Sequence, residues 1–182
     1  MYRFLTLVVL SAFLIWGYMP ALGEDKGPTA SFEDFQEWGK RLEGRWVVKV
    51  TFIADWPGQE KKQGEEITSH AIYRWVADRR GLEEVSIAGN SEARRLHYWD
   101  AGSRQIKILS VDSGGTTFVV SFGRKGDRWP WTAIGHLPDG TKMEGKGENT
   151  LTADGNSIVA GTVILGGKKL PTLHDVGKKV SK

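Results

Sequence analysis

The chain of 182 residues contains no cysteine. Disulfide bonds, thiolate metal sites and a lipid anchor on a cysteine behind a leader are therefore excluded. The chain also carries little net charge, because 25 Lys and Arg are set against 22 Asp and Glu. This small surplus argues against nucleic acid as a partner. Without disulfides, the stability of the domain must come from its apolar core.

A long hydrophobic run occurs at the beginning of the chain. Arg3 precedes an uncharged apolar stretch, residues 4–18, which is too short to cross a bilayer comfortably. Pro20 and small residues up to Gly23 follow. The pattern predicts a signal peptide over residues 1–23, an exported (periplasmic or secreted) protein and no stable membrane anchor after cleavage. An uncleaved signal anchor is the alternative.

The remainder of the chain divides into a polar linker, residues 24–30, and one domain, residues 31–182. Ser31 and the acidic residue three positions later, Asp34, form a helix-capping pattern. Apolar side chains then recur at spacings of three and four, which predicts a helix over about residues 32–43. Its apolar face comprises Phe32, Phe35, Trp38 and Leu42.

From position 45 onward the apolar residues alternate with a period near two, which indicates β-strands. Turn residues interrupt the pattern every 10 to 16 residues, which leaves no room for crossover helices and predicts antiparallel pairing. We expect an all-β fold, a single antiparallel meander barrel of about 8–10 strands with the helix against its open end. A two-sheet sandwich is the competing architecture. Glycines within strand patterns suggest the bends that closure needs: Gly135, Gly145, Gly147 and Gly161.

Several turn-and-aromatic motifs follow one another in a characteristic order. They are Leu42-Glu43-Gly44-Arg45-Trp46, Tyr73-Arg74-Trp75, Trp99-Asp100, Ile106, Asp112 to Gly115, Gly126-Asp127-Arg128-Trp129, Leu137-Pro138-Asp139-Gly140, Asp154-Gly155 and residues 167–171. This order resembles that of bacterial lipocalin-like β-barrel proteins of unknown function, exported or cytoplasmic, which occur alone or behind a SnoaL-like domain. The resemblance covers roughly residues 35–180. It implies a calycin-like barrel whose interior holds a small apolar ligand, and it transfers no catalytic residue. Relatives tend to carry a further aromatic near position 109, where this chain has Leu109.

The letters D-S-G-G at Asp112 to Gly115 match the surroundings of the nucleophile in trypsin-like proteases. A catalytic interpretation would pair Ser113 with His97 and Asp100. The stretch lies between two strand patterns, however, and glycine-rich turns of this kind connect hairpins. We therefore predict a hairpin turn and no catalytic residue, with Ile108, Val111 and Phe118 in the core.

The four histidines are His70, His97, His136 and His174. They lack the close pairing that strong metal sites show, so no metal and no cofactor is predicted. Haem on the lone His174 near the chain end is a minor alternative.

Two carboxylate pairs are adjacent in sequence: Glu65-Glu66 and Glu83-Glu84. Neighbouring strand residues point to opposite faces, so neither pair can act on one substrate without help from other strands. We expect solvated exterior positions. If one member points inward, it needs an inward arginine such as Arg74 or Arg95.

Seven of the eight tryptophans lie beyond the predicted signal peptide. Small barrels fill their interiors with large side chains, so most of these rings are expected in the core. If the barrel is not fully filled, Trp75, Trp99 and Trp131 are predicted to line the cavity, with His97 as a polar contact.

Three functions remain open. The first is a non-enzymatic barrel that binds a small apolar or amphipathic molecule in its interior or at its mouth. The second is a hydrolase or isomerase that uses an inward histidine and carboxylate. The third is a filled barrel that acts as a protein interaction module. Convergent inward polar groups would favour an enzyme, an empty aromatic cavity would favour ligand binding, and a filled interior would favour the third.

Overall fold

The computed structural model of the chain describes residues 28–56 and 62–181. The predicted signal peptide and residues 24–27 of the predicted linker lie outside the described residues. Residues 28–30 are packed on the barrel: Ala30 is 3% exposed, and its N–H donates to the carbonyl of Arg104 at 2.7 Å. No helix in the described part of the chain is long and apolar enough to span a membrane.

The α-helix, α1, spans Phe32–Leu42, in agreement with the aromatic spacing. Ser31 caps it, since its hydroxyl accepts from the N–H of Asp34 at 3.1 Å and the Asp34 carboxylate accepts from the N–H of Ser31 at 2.8 Å. Phe35, Trp38 and Leu42 are buried. The apolar face of the helix therefore lies on the barrel, and its polar face meets solvent.

Eleven strands follow within the described residues. Their bounds are β1 Gly44–Thr51, β2 Glu66–Val76, β3 Gly81–Ala88, β4 Ser91–Asp100, β5 Gln105–Asp112, β6 Thr117–Phe122, β7 Arg128–His136, β8 Lys142–Leu151, β9 Asn156–Leu165, β10 Lys168–Lys169 and β11 Leu173–Ser181. All pairings are antiparallel.

Ten of the strands close into a ring. Each of β1 to β8 pairs with the next strand in sequence, β9 pairs with β11, and β11 pairs with β1. The two-residue β10 pairs with β9 outside the ring. The predicted antiparallel meander barrel with one short N-terminal helix is thus confirmed, and the sandwich alternative is wrong.

The D-S-G-G stretch is the turn between β5 and β6, as the hairpin interpretation predicts. Gly115 has a φ of 86°, which favours glycine, and its N–H donates to the Asp112 carbonyl at 3.0 Å. Ser113 is exposed. Its hydroxyl accepts from the N–H of Glu92 at 3.1 Å, at the start of the neighbouring strand. Ser113 is therefore a turn residue.

The predicted core positions around this turn are confirmed in part. Ile108 is buried and Phe118 faces the interior. Val111 is 49% exposed, so its placement in the core is wrong. Because Ile106, Ile108 and Ser110 occupy the inner face of β5, the alternation of the strand turns Val111 outward.

Three glycines of β8 and β9 make room for the ring of Trp131. A Cβ on Gly147 would lie 2.7 Å from this ring, one on Gly161 would lie 2.6 Å from it, and one on Gly145 would lie 3.0 Å from it. Carbon atoms in contact are ordinarily 3.5 to 4.0 Å apart. The glycines thus let a large indole lie against the barrel wall.

The two ends of the barrel are closed differently. At the helix end, Trp38 packs with its ring centroid 5.0 Å from those of Phe122 and Trp129. At the far end, residues 52–54 leave β1 and are buried, and Ile53 forms a small cluster with Met143 and Val163. Between these two layers the barrel is not filled.

Candidate ligand-binding cavity

A cavity of about 430 Å³ lies inside the barrel, between the helix end and the far end. Its wall is mainly apolar and includes Trp46, Val48, Ala71, Ile108, Val120, Ala133 and Val159. These residues share the inner face because they occupy alternate positions of their strands. Small-molecule sites typically enclose about 300 to 1,000 Å³. The cavity is therefore large enough for a small ligand.

A row of polar side chains interrupts the apolar wall. Tyr73 is opposite Glu84, Glu84 is opposite Arg95, and Arg95 is opposite Ser110, on the successive strands β2 to β5. Directly opposed residues of neighbouring strands project to the same face of the sheet. Strand register thus brings a phenol, a carboxylate, a guanidinium and a hydroxyl together inside the barrel.

Glu84 and Arg95 form an ion pair within this row. Nη1 of Arg95 donates to the Glu84 carboxylate and to the Ser86 hydroxyl, the latter at 3.1 Å. Burial alone would raise the pKa of Glu84. The Arg95 guanidinium and the hydrogen bond from His97 outweigh it and lower that pKa from 4.5 to about 2. Glu84 is therefore ionised and neutralised by its partner.

His97 is 2% exposed and has both ring nitrogens engaged. Nε1 of Trp38, on the helix, donates to Nδ1 of His97 at 3.3 Å. Nδ1 is thus an acceptor, which places the ring proton on Nε2, 3.1 Å from the Glu84 carboxylate. The helix and Glu84 together hold the imidazole in one orientation, and the ring of Tyr73 packs edge-on to it at 5.8 Å between centroids.

Two buried polar atoms have no hydrogen-bond partner among the described residues: the Ser110 hydroxyl and Nε1 of Trp131. Burying such a group without a partner costs roughly 1 to 3 kcal/mol. Burial also raises the pKa of the Tyr73 phenol well above its usual range, with Glu84 adding to the effect. Tyr73 lines the cavity and therefore presents a neutral phenol to it.

Asp175 lies on β11, on the other side of the cavity. It shares the inner face of that strand with Leu173 and Gly177. Its carboxylate accepts from the N–H of Thr51 at 3.4 Å, a long hydrogen bond. Burial raises the pKa of Asp175 from 3.8 to about 6. Unlike Glu84, this carboxylate forms no ion pair with any described residue.

The four predicted ligand-binding residues separate into two pairs. His97 and Trp131 line the cavity. Trp75 and Trp99 instead pack under the helix, with their ring centroids 5.6 Å from Phe35 and 5.9 Å from Phe32, respectively. The prediction that all four line one cavity does not match this arrangement, because α1 covers the barrel end at which Trp75 and Trp99 lie. Ligand contact by any of the four stays a prediction.

Sequence reasoning placed the carboxylates on the exterior, and this is wrong for Glu84. Glu83 does lie outside, where it pairs with Arg74 at 2.5 Å. Glu84 points inward and meets Arg95, one of the two arginines named for that case. Asp175 was missed. The sequence does indicate its inward position, because Asp175 alternates with Leu173 and Gly177 along the last strand and shares their face.

The other three histidines, His70, His136 and His174, are exposed. Within residues 28–56 and 62–181, no three histidine, aspartate or glutamate side chains converge in a way that could hold a metal ion. Haem ligation by an exposed His174 would leave the barrel interior unused. The chemistry available in the cavity is thus hydrogen bonding, charge and apolar contact.

Comparison with protein-family models gave no match, and no curated protein is significantly similar in sequence. The geometry of the barrel interior is accordingly the basis for a functional assignment.

Proposed function

We propose that the protein binds a small apolar or amphipathic molecule inside the barrel. The observation that carries this proposal is the cavity of about 430 Å³, whose mainly apolar wall is interrupted by a few polar side chains such as Tyr73, Arg95 and Asp175. An apolar body would replace empty space beside the wall, and a polar end would hydrogen-bond to one of the polar side chains. This combination is typical of pockets that orient an amphipathic ligand.

An enzyme is the second candidate, and the hydrogen bond between His97 and Glu84 favours it. A general base needs a free nitrogen within reach of the proton that it removes. Nδ1 of His97 already accepts from Trp38, and Nε2 faces Glu84. Both ring nitrogens of His97 are therefore occupied, one by the helix residue Trp38 and the other by Glu84. We accordingly propose binding rather than catalysis.

Binding can be tested with the neutral fluorescent probe N-phenyl-1-naphthylamine, which brightens in apolar cavities. Val120 faces the cavity, whereas its neighbour Val119 is 39% exposed on the outside of the same strand. We expect the wild-type protein and Val119→Trp to bind the probe, and Val120→Trp to lose binding because the indole fills the cavity.

A milder filling variant guards against misfolding of Val120→Trp. Ala133→Leu adds a smaller volume to the same wall, and it should weaken probe binding while circular dichroism and the unfolding midpoint stay near those of the wild type. Equal probe binding by all of these proteins would contradict a site in the interior. Native mass spectrometry of the protein from its own host should also detect a retained small molecule.

A further inference from the structure

The ionisable groups of the cavity wall do not balance. Three carboxylates, those of Glu84, Asp112 and Asp175, are present with one guanidinium, that of Arg95, and with the imidazole of His97, whose nitrogens are held by Trp38 and Glu84. Arg95 is paired with Glu84. The Asp112 carboxylate accepts from the N–H of Thr116 at 2.9 Å in the turn at the rim of the barrel. The positive charge of the interior is thus already neutralised, and the uncompensated charge is negative.

Of these three carboxylates, Asp175 is the one that remains available to bind a ligand. It faces the cavity from β11, and its hydrogen bond from Thr51 is long at 3.4 Å. Hydrogen bonds to an ionised carboxylate are ordinarily about 2.7 to 2.9 Å. A half-buried carboxylate with one long hydrogen bond and no ion-pair partner among the described residues is incompletely satisfied. A hydrogen-bond donor on a bound ligand would supply the interaction that the Asp175 carboxylate lacks.

The aromatic part of the cavity wall also suits a cation. Aromatic rings of Trp56 and Trp131 line the same cavity. Trp46 and Phe118 line it as well, but Lys179 and Arg95 already lie over their rings. The faces of aromatic rings attract ammonium groups, and most strongly where water is excluded. An anionic ligand would find no free guanidinium, because Arg95 is held by Glu84.

We infer that the cavity selects amphipathic molecules whose polar end is a cationic amine, with the ammonium group bound by Asp175 and the apolar body against the aliphatic and aromatic wall. This inference rests on the proposed binding function and adds the chemical class of the ligand. A fatty acid of the same length is disfavoured, since its carboxylate would face Asp175 without a counterion.

The test compares three ligands with the same apolar chain: decylamine, decan-1-ol and decanoate. Each displaces N-phenyl-1-naphthylamine from the wild-type protein at about pH 8, where Asp175 is ionised. We expect decylamine to bind about tenfold more tightly than the alcohol, the effect of one hydrogen bond to a charged group. Decanoate should bind most weakly.

Asp175→Asn should remove the preference, so that decylamine and decan-1-ol bind about equally while the probe still binds. The exposed Asp127→Asn changes the net charge by the same amount and should retain the preference. The preference should also disappear at about pH 5 in the wild type, because Asp175 is then protonated. Arg95 across the cavity and His174 beside it are the charged groups that act on Asp175, and both favour its ionised form.

The outcomes separate the two proposals. If the probe binds but the alcohol or decanoate competes as well as the amine, or if Asp175→Asn keeps the preference, the inference about the amine is overturned and binding in the cavity stands. If neither the probe nor any of the three ligands binds, both proposals fail.

Discussion

At the scale of single residues, the interior of this barrel depends on one ion pair. The side chain of Glu84 is 7% exposed and that of Arg95 is 26% exposed, so each charge has lost much of its hydration. Such a pair is tolerated because each member neutralises the other and further hydrogen bonds from His97 and to Ser86 satisfy the remaining sites. Removing one partner leaves the other as an isolated charge.

Single and double replacements of this pair should therefore not be additive. Glu84→Gln and Arg95→Met should each lower the free energy of unfolding by roughly 3 to 5 kcal/mol, because each leaves an unpaired group inside the barrel. The double variant should lose much less than the sum. Urea unfolding of the four proteins measures the coupling. Additive losses would mean that the two side chains do not interact in solution.

The sequence predicts some interior residues and not others, for a physical reason. Trp131 and His97 line the cavity, in agreement with the alternation of their strands, and their contact with a ligand stays a prediction. Glu84 was expected outside, because burying a charge is unfavourable unless a partner on another strand is known. That partner, Arg95, is defined by the register of β3 and β4, which the sequence does not reveal directly.

At the scale of elements, α1 fits the barrel through Gly39. A Cβ at this position would lie 2.1 Å from the ring of Trp75. The ring of Trp75, which projects from β2, therefore packs directly on Gly39 of the helix. Its presence near the end of a helix is explained by this close approach and not by a need for an unusual backbone angle.

The replacement Gly39→Ala tests this fit, because the sign of its effect on stability depends on whether Trp75 packs on this position. In an exposed helix the change would stabilise by about 1 kcal/mol. Here we expect a loss of about 1 to 3 kcal/mol, because the new methyl group overlaps the Trp75 ring. Lys40→Ala, at the next and exposed position, should change stability by less than about 0.5 kcal/mol. Thermal unfolding followed by circular dichroism measures both. A stabilised Gly39→Ala protein would show that the helix packs elsewhere.

The pairing of β8 with β9 has a similar requirement at Gly147. A Cβ there would lie 2.0 Å from the Ala160 carbonyl oxygen and 2.7 Å from the ring of Trp131. Gly147→Ala should therefore destabilise the barrel by more than about 2 kcal/mol and shift the tryptophan emission. Gly102→Ala, in an open turn where the nearest atom is 3.5 Å away, is the matched control and should be nearly neutral. Equal stability of the two variants would contradict the close approach.

The order of helix and strands was predictable because hydrophobic period and turn residues mark each element locally. The inward face of each strand was harder to predict. The outer surface also carries a row of exposed apolar side chains on β4 to β7, namely Leu96, Leu109, Val119 and Ile134. Where both faces of a strand are apolar, alternation does not identify the inner one, which explains the wrong placement of Val111 in the core.

At the scale of the whole molecule, two interior carboxylates oppose each other in their effect on stability. The pKa of Glu84 is lowered to about 2 in the folded protein, so its contribution to folding is lost as the pH falls from about 4.5 to about 2. The pKa of Asp175 is raised to about 6, so it favours the folded state fully below about 3.8 and loses this contribution as the pH rises through 6.

The barrel should consequently gain stability from Asp175 as the pH is lowered from about 7 to about 4. A shift of two pKa units corresponds to about 3 kcal/mol, so a gain of about 1 to 3 kcal/mol is expected. In Asp175→Asn this gain should be absent, and the variant should be more stable than the wild type near neutral pH because no charge is buried. The exposed Asp127→Asn should follow the wild-type profile. Urea unfolding midpoints measured across this range provide the test. Parallel profiles for the wild type and Asp175→Asn would place the Asp175 carboxylate in water, and the cavity would then lack the negative group to which we assign ligand selection.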